Sequence, residues 1–290
     1  MKTAIVTDSN SGIAHSEASR LGVFVLPMPV VIDGHTYYEE VDLLSTQFFL
    51  ALSQHRAVST SQPSPGDVTA LWERVLSEYD ELVYIPMSSG LSSSCATAKI
   101  LAEDYAGKVF VADNHRISVT QKASVLDALA LREKGLRARE IQQELENSAF
   151  DSVIYVGVET LEYLRKGGRV TARAAAISTV LQIKPLLKIK GELLDVHAKV
   201  RGTAACKNQL LNAIRQDMEQ YAAKWDIDIG AASSYADICA AEGWRETVSE
   251  AFPQYHISCA PLTFSISSHV GPDAFGMAVT RRLARAKGEN

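Results

Sequence analysis

The chain has 290 residues, of which 47% are hydrophobic and 22% charged, with 29 basic against 34 acidic side chains and a net charge of −5. That profile describes a globular chain of one large or two ordinary domains and argues against disordered or fibrous protein. The acidic balance gives no global pull toward nucleic acid or a membrane surface, and no apolar run approaches the roughly 18 residues of a membrane span. Cys95, Cys206, Cys239 and Cys259 stand far apart with no C-x-x-C, so a zinc knuckle, a redox motif and a disulfide scaffold are all disfavoured. They are expected as buried small hydrophobes. Ala4-Ile5-Val6 before Asp8 is too short for a signal peptide. A cytoplasmic protein is expected, with no nucleic-acid partner and no integral membrane segment.

In chain order, Ala4-Ile5-Val6 leads into the turn formers Thr7 to Gly12, where Asp8 either caps a helix or binds a metal. Val23 to Leu26 is a second short apolar run, closed by Pro27 and Pro29. Ser64-Pro65 opens a helix, with Ser as cap and Pro in the first position. Val68, Leu71, Trp72, Val75 and Leu76 then form one apolar face. Leu82 to Ile85 and Val109 to Ala112 are further strands, too uniformly apolar to be half exposed. Helices are expected around Val125 to Ala130 and around Ile141 and Leu145. This alternation implies a parallel sheet with helices on both sides.

Near residue 150 the texture changes. Val153 to Val158 reads as a strand, followed by a Gly167-Gly168 break. Leu186 to Ile189 and Leu193 to Val196 flank Lys190-Gly191-Glu192 as a hairpin. A long amphipathic helix carries Leu210, Leu211, Ile214, Met218 and Tyr221. Ile227 to Ala232 and Tyr255 to Ala260 read as strands, and Asp273 to Ala286 as a terminal helix. The division falls near 150, giving a parallel α/β part over 1–150 and a mixed α/β part over 151–290.

Some chemistries are absent from the sequence. No G-x-G-x-x-G, G-x-x-x-x-G-K-[ST] or H-E-x-x-H occurs, so neither a nucleotide loop nor a catalytic metal site is expected. Three segments remain: Thr60-Ser61-Gln62-Pro63-Ser64, Ser88-Ser89-Gly90-Leu91-Ser92-Ser93-Ser94 and Ser267-Ser268-His269-Val270-Gly271-Pro272. The first two stand before helices, where unpaired backbone N–H groups and hydroxyls together suit an anion. Plain N-capping is the alternative for both. The third reads as a turn. Arg169, after Gly167-Gly168, suits a carboxylate or phosphate, or pairs with a surface acid. Lys188, Lys190, Lys199 and Arg201 on the hairpin read as a solvated face or as a dock for an acidic partner. Gly90-Leu91-Ser92-Ser93-Ser94 also approaches a nucleophile elbow, with Ser94 where the last glycine belongs. An esterase using Ser92 and His269, with Asp226 or Asp237 as third member, is therefore a second reading.

Together these segments resemble the DegV family, the fatty-acid-binding proteins of bacterial fatty acid kinase. Thr7-Asp8-Ser9, Thr60-Ser61-Gln62-Pro63-Ser64, Ser88-Ser89-Gly90-Leu91-Ser92, Leu161 to Arg169, Ile183-Lys184-Pro185 and His269-Val270-Gly271-Pro272 follow in order along the chain. The resemblance implies a two-lobed DegV-like α/β fold, a Rossmann-like parallel-sheet lobe followed by a mixed-sheet lobe. One long-chain fatty acid of palmitate or oleate type would lie between them, with no intrinsic cofactor and no metal. It implies a carboxylate held at Thr60, Ser61, Ser92 and Ser93. Arg169 and His269 would support phosphoryl transfer from an ATP-binding kinase subunit, so that the chain presents substrate and is not itself a complete enzyme. A carrier or sensor without any kinase is the remaining alternative. Ser93 and Ser94 stand where the family usually has Gly and Thr, and Ser267-Ser268-His269 where it has Gly-Thr-His. Ala112-Asp113-Asn114 replaces a usual Val-Asp-Ser, and Asp273 a usual Gly. Burying a sixteen-carbon chain gains roughly 11–12 kcal/mol gross at about 0.8 kcal/mol per methylene, and its carboxylate needs hydrogen-bond partners if desolvation is not to dominate.

Overall fold

The computed structural model describes residues 1–176 and 183–283. Among the described residues thirteen strands run in chain order: β1 (Thr3–Asp8), β2 (Phe24–Leu26), β3 (Pro29–Ile32), β4 (His35–Tyr38), β5 (Val58–Thr60), β6 (Glu81–Ile85), β7 (Val109–Val111), β8 (Ser152–Gly157), β9 (Ile183–Ile189), β10 (Asp195–Arg201), β11 (Ile227–Ser233), β12 (Ile257–Pro261) and β13 (Phe275–Arg281). β2-β1-β6-β7 form a parallel sheet. β10-β9-β8-β13-β11-β12 form a mixed sheet in which only β11 and β12 run parallel. The fold is thus α/β, with a parallel sheet from the N-terminal part and a mixed sheet from the C-terminal part.

The parallel strands are buried on both faces, as their continuous apolar runs require: β1 and β6 have no exposed residue. Helix Pro65–Leu76 packs Val68, Leu71, Trp72 and Val75 on one face, and helix Val119–Glu133 packs Val125, Ala128 and Leu129 on the other. Ser64 caps the first of these by accepting from the Asp67 N–H at 3.1 Å. Asp8 caps as well. Its carboxylate accepts from the N–H groups of Asn10 at 2.9 Å and Met87 at 2.8 Å and from Gln121 Nε2 at 3.1 Å. Full burial nevertheless pushes its pKa up to about 6.

Several expectations need correction. Asp273 to Ala286 is not a terminal helix. Residues 275–281 are β13, a central strand between β8 and β11, and 284–286 lie outside the described residues. Phe275, Met277 and Val279 pack into one core and Ala274, Gly276 and Ala278 face the other way. With both faces buried the period-2 alternation vanishes, and Ala and Met favour the helical reading. His269 stands in no turn but in the last turn of helix Phe264–Val270. Its serines are tolerated there because they bond backward, Ser268 Oγ to the Phe264 carbonyl at 2.7 Å and Ser267 Oγ to Leu262 at 3.3 Å. The hairpin turn is longer than expected: β10 begins at Asp195, opposite Lys188, so Leu193 and Leu194 belong to the connection. Two of the four cysteines are exposed, Cys239 and Cys259, where burial was expected for all.

Between Pro29 and Thr60, where the sequence pattern predicts no strand, the chain builds a third sheet, β4-β3-β5, all antiparallel. Pro29 begins β3, a position where a missing N–H costs little. This small sheet carries Thr60 at the end of β5, and helix Ser45–Ser53, packed in the same core, stacks Phe48 on Phe264 at the start of the His269 helix with ring centroids 4.5 Å apart. Through that contact, residue 60 meets residue 269.

Candidate functional site

A cavity lies between the parallel-sheet part and the mixed sheet. Its apolar wall comes from both parts of the chain, with Met87, Leu91 and Ile117 on one side and Val156, Ile189 and Leu194 on the other. Thr60, Ser61, Ser92, Ser93, Arg169 and His269 all line it.

Each of these side chains is set by local structure. Thr60 ends β5 and half-buried Ser92 lies in the loop entering helix Ser94–Ala102, while Ser61 and Ser93 are exposed. Arg169 follows helix Glu162–Gly167, whose left-handed Gly168 cap turns the chain back. Thr60 Oγ1 and His269 Nε2 are 2.8 Å apart across 209 positions of sequence. Arg169 Nε donates to the Leu91 carbonyl at 3.1 Å, and a second guanidinium nitrogen donates to Gly167 O. Among the described residues no carboxylate pairs with Arg169, so a surface ion pair does not account for it. Among the described residues no acidic side chain neutralises its charge, and the side chain lines the cavity.

His269 lies close against Gly167. A Cβ at 167 would collide with the imidazole, so the ring's position requires glycine there. Burial, and behind it the charge of Arg169, pull the His269 pKa down to about 4. The ring is neutral at physiological pH. Its buried Nδ1 has no hydrogen-bond partner. A Ser-His-Asp arrangement needs a carboxylate on that nitrogen, and Asp237 instead caps its own helix by accepting from the Cys239 N–H at 3.0 Å. The esterase constellation is therefore not assembled.

Gln62 was missed in the sequence. Its Oε1 accepts from Ser93 Oγ at 3.2 Å and from Thr97 Oγ1 at 3.1 Å, tying the Thr60 loop to the Ser92 loop. It sits beside the hydroxyls of Thr60 and Ser61, and a pairing across 31 positions leaves no local pattern in one sequence. Ser92 does part of what plain capping predicts, since its Oγ accepts from the Ser94 N–H at 3.2 Å. Thr60, Arg169 and His269 also line a second, outward cavity with Arg56, Tyr163 and Lys166. These three side chains thus stand on the wall shared by the two cavities. Among the described residues, no group of three or more His, Cys, Asp or Glu side chains is placed to hold a metal ion, and no helix is long and apolar enough to cross a membrane.

The family model described as "Uncharacterised protein, DegV family" matches residues 2–282. The chain belongs to the DegV family. A DegV domain-containing protein of Deinococcus radiodurans is 29% identical over 96% of this chain and 98% of its own length. Among solved structures, a fatty-acid-binding DegV family protein from Thermus thermophilus superposes with a TM-score of 0.85 at 29% identity, covering 97% of this chain and 100% of that one. A stearic-acid-binding protein from Eubacterium ventriosum superposes at 0.86 with 20% identity, covering 97% and 98%, and supports the shared fold. Both of these solved neighbours are fatty-acid-binding proteins.

Proposed function

We propose that this protein binds one long-chain fatty acid in the cavity between its two lobes, divided near residue 150, and presents the carboxylate to a partner kinase. The observation that carries this reading is the pairing of an apolar cavity with a head-group constellation on its wall, Thr60 bonded to His269 beside the unpaired Arg169. In the tautomer with a proton on Nε2, neutral His269 donates to Thr60 Oγ1. The threonine hydroxyl proton is then free to donate to a carboxylate oxygen, with Ser92 as a second donor. Arg169 supplies the positive charge. A hydrogen bond to a charged group contributes about 1.5–3 kcal/mol, so the two hydroxyls and the nearby cation act together against the desolvation that a bare carboxylate would suffer in an apolar cavity.

The outward cavity supports the second half of the proposal, because it reaches the same three residues from the surface. A carboxylate oxygen there attacks the γ-phosphorus of ATP held by the partner. The new O–P bond forms as the bond to the β-phosphate breaks, leaving acyl phosphate and ADP. The cation at Arg169 offsets charge developing on the transferred group. This chain supplies substrate and electrostatics; the nucleotide belongs to the partner. The test is to load the protein with palmitate, add kinase subunit and ATP, and follow acyl phosphate. Arg169→Ala should lower phosphorylation more than tenfold while retaining most lipid. Equal loss of both refutes that division of roles, and lipid binding with no acyl phosphate formed by the wild type favours a carrier without a kinase.

A further inference from the structure

Two serines stand in the wall of the cavity with nothing to bond to. Ser118 and Ser265 both line it and are 9% and 6% exposed. Among the described residues neither hydroxyl has a hydrogen-bond partner, and both oxygens are open to the cavity. Their neighbours behave differently. In helix Phe264–Val270, Ser267 and Ser268 bond back to the carbonyls of Leu262 and Phe264, as serines inside helices do. Ser265 does not. Ser118 holds the N-cap position of helix Val119–Glu133, where a serine ordinarily accepts from the first turn. Its backbone stands at φ +55° and ψ −136°, outside the usual cap geometry, and its hydroxyl makes no cap bond.

Asn10 gathers the two serines to one stretch of wall. Its carbonyl accepts from the Ser118 N–H at 2.9 Å. Its Oδ1 accepts from Oγ1 of Thr263, two residues before Ser265, at 3.4 Å. Its Nδ2 donates to the Met87 sulfur, a weak acceptor, at 2.9 Å. Asn10 and Met87 line the same cavity. Ser265 lies one turn before His269 on their helix, about 6 Å along the axis. The serine therefore stands beside the carboxyl half of a long chain whose head group is at His269. A buried hydroxyl without a partner has lost its bonds to water and gained none. A wall that touches only methylenes would be better served by alanine or valine at both places.

We propose that the cavity takes a long-chain fatty acid carrying a hydroxyl on the carboxyl half of its chain, received by Ser118 and Ser265. This rests on the fatty-acid reading above and narrows its substrate class. A hydroxyl is one donor and two acceptors. The substrate hydroxyl accepts from one serine and donates to the other, so that all three groups are satisfied together. Each net hydrogen bond is worth about fivefold in affinity, and two exceed tenfold.

The experiment is competitive binding on delipidated protein. The probes are palmitate, hydroxypalmitates hydroxylated at successive carbons of the carboxyl half, and the isomer hydroxylated at the terminal carbon. The proteins are the wild type, Ser118→Ala, Ser265→Ala and the double variant. The hydroxylated isomers share one composition, so differences among them read position and not hydrophobicity. In the wild type, an isomer of the carboxyl half should bind more than tenfold tighter than palmitate and than the terminal isomer. Each single variant should lower that preference by about fivefold, and the double variant should bring it close to parity. Palmitate binding as tightly as every hydroxylated isomer, the result expected if the serines merely hold water, overturns the assignment and leaves the fatty-acid reading standing. A preference that survives in the double variant overturns it too. Should the variants fail to fold, the wild-type comparison decides alone. A wild type that takes up none of these acids overturns the fatty-acid reading itself and this inference with it.

Discussion

Protonation of His269 gives a perturbation whose size follows from the site. The ring is packed between Gly167 and Thr60 with Arg169 nearby, and burial together with that cation brings its pKa from 6.5 to about 4. In the unfolded chain it returns to about 6.5. Its folded value lies below its unfolded value, so unfolded chains take up the proton first on acidification. The stability it confers is fully present above about pH 6.5 and is lost as pH falls toward 4. Between pH 7 and pH 5 that linkage costs about 2 kcal/mol. Urea unfolding at both pH values, for wild type and His269→Gln, isolates the contribution. The wild type should lose about 2 kcal/mol more than the variant over this interval. An imidazole titration by NMR should place the ring near pH 4 in lipid-free protein and higher once a carboxylate is bound beside it. Equal acid sensitivity of the two proteins, or a lipid-free ring that titrates at its ordinary value, refutes the buried neutral histidine.

Other outcomes follow from the same geometry. Thr60→Ala/Ser92→Ala should weaken palmitate binding at least tenfold, given about 1.5–3 kcal/mol for each hydrogen bond to a charged group; undiminished affinity by titration calorimetry would remove both residues from the head-group role. Gly167→Ala drives a methyl into the His269 ring, so a destabilisation of about 1–3 kcal/mol and weaker palmitate binding are expected. Wild-type stability and affinity in that variant would contradict the contact. Glu39 accepts from the Phe264 N–H at 2.8 Å at the start of the His269 helix, and burial lifts its pKa to about 7. Its folded pKa lies above its unfolded one, so stability is fully present below about pH 4.5 and declines as pH rises through 7. Glu39→Gln, which keeps an acceptor for Phe264, should be more stable than wild type at pH 8 by up to about 3 kcal/mol. Identical pH profiles would sink this.

What the sequence reveals and what it hides have physical causes. β1, β6 and β7 are legible because parallel strands buried on both faces read as short apolar runs between helices. β13 is buried in the same way, but its Ala, Gly and Met residues mimic a helix, and only its place between β8 and β11 decides the matter. The sheet β4-β3-β5 was passed over because His35, Thr36 and Asp33-Gly34 look like loop, although that sheet delivers Thr60 to the site. The site's hydroxyls, arginine and histidine announce themselves by residue type and by resemblance. Their meeting does not, because Thr60 and His269 are joined through Phe48 stacked on Phe264 and not through any local pattern. Gln62 is hidden for the same reason: it acts through partners far away in the chain.

The central claim is that the cavity holds a fatty acid by its carboxylate, and the most direct measurement is denaturing extraction of freshly purified protein followed by mass spectrometry, with palmitate and oleate uptake measured on the delipidated chain. The account predicts close to one long-chain fatty acid per chain, and reloading that falls at least tenfold in Thr60→Ala/Ser92→Ala. A protein that emerges empty and takes up neither acid would contradict it.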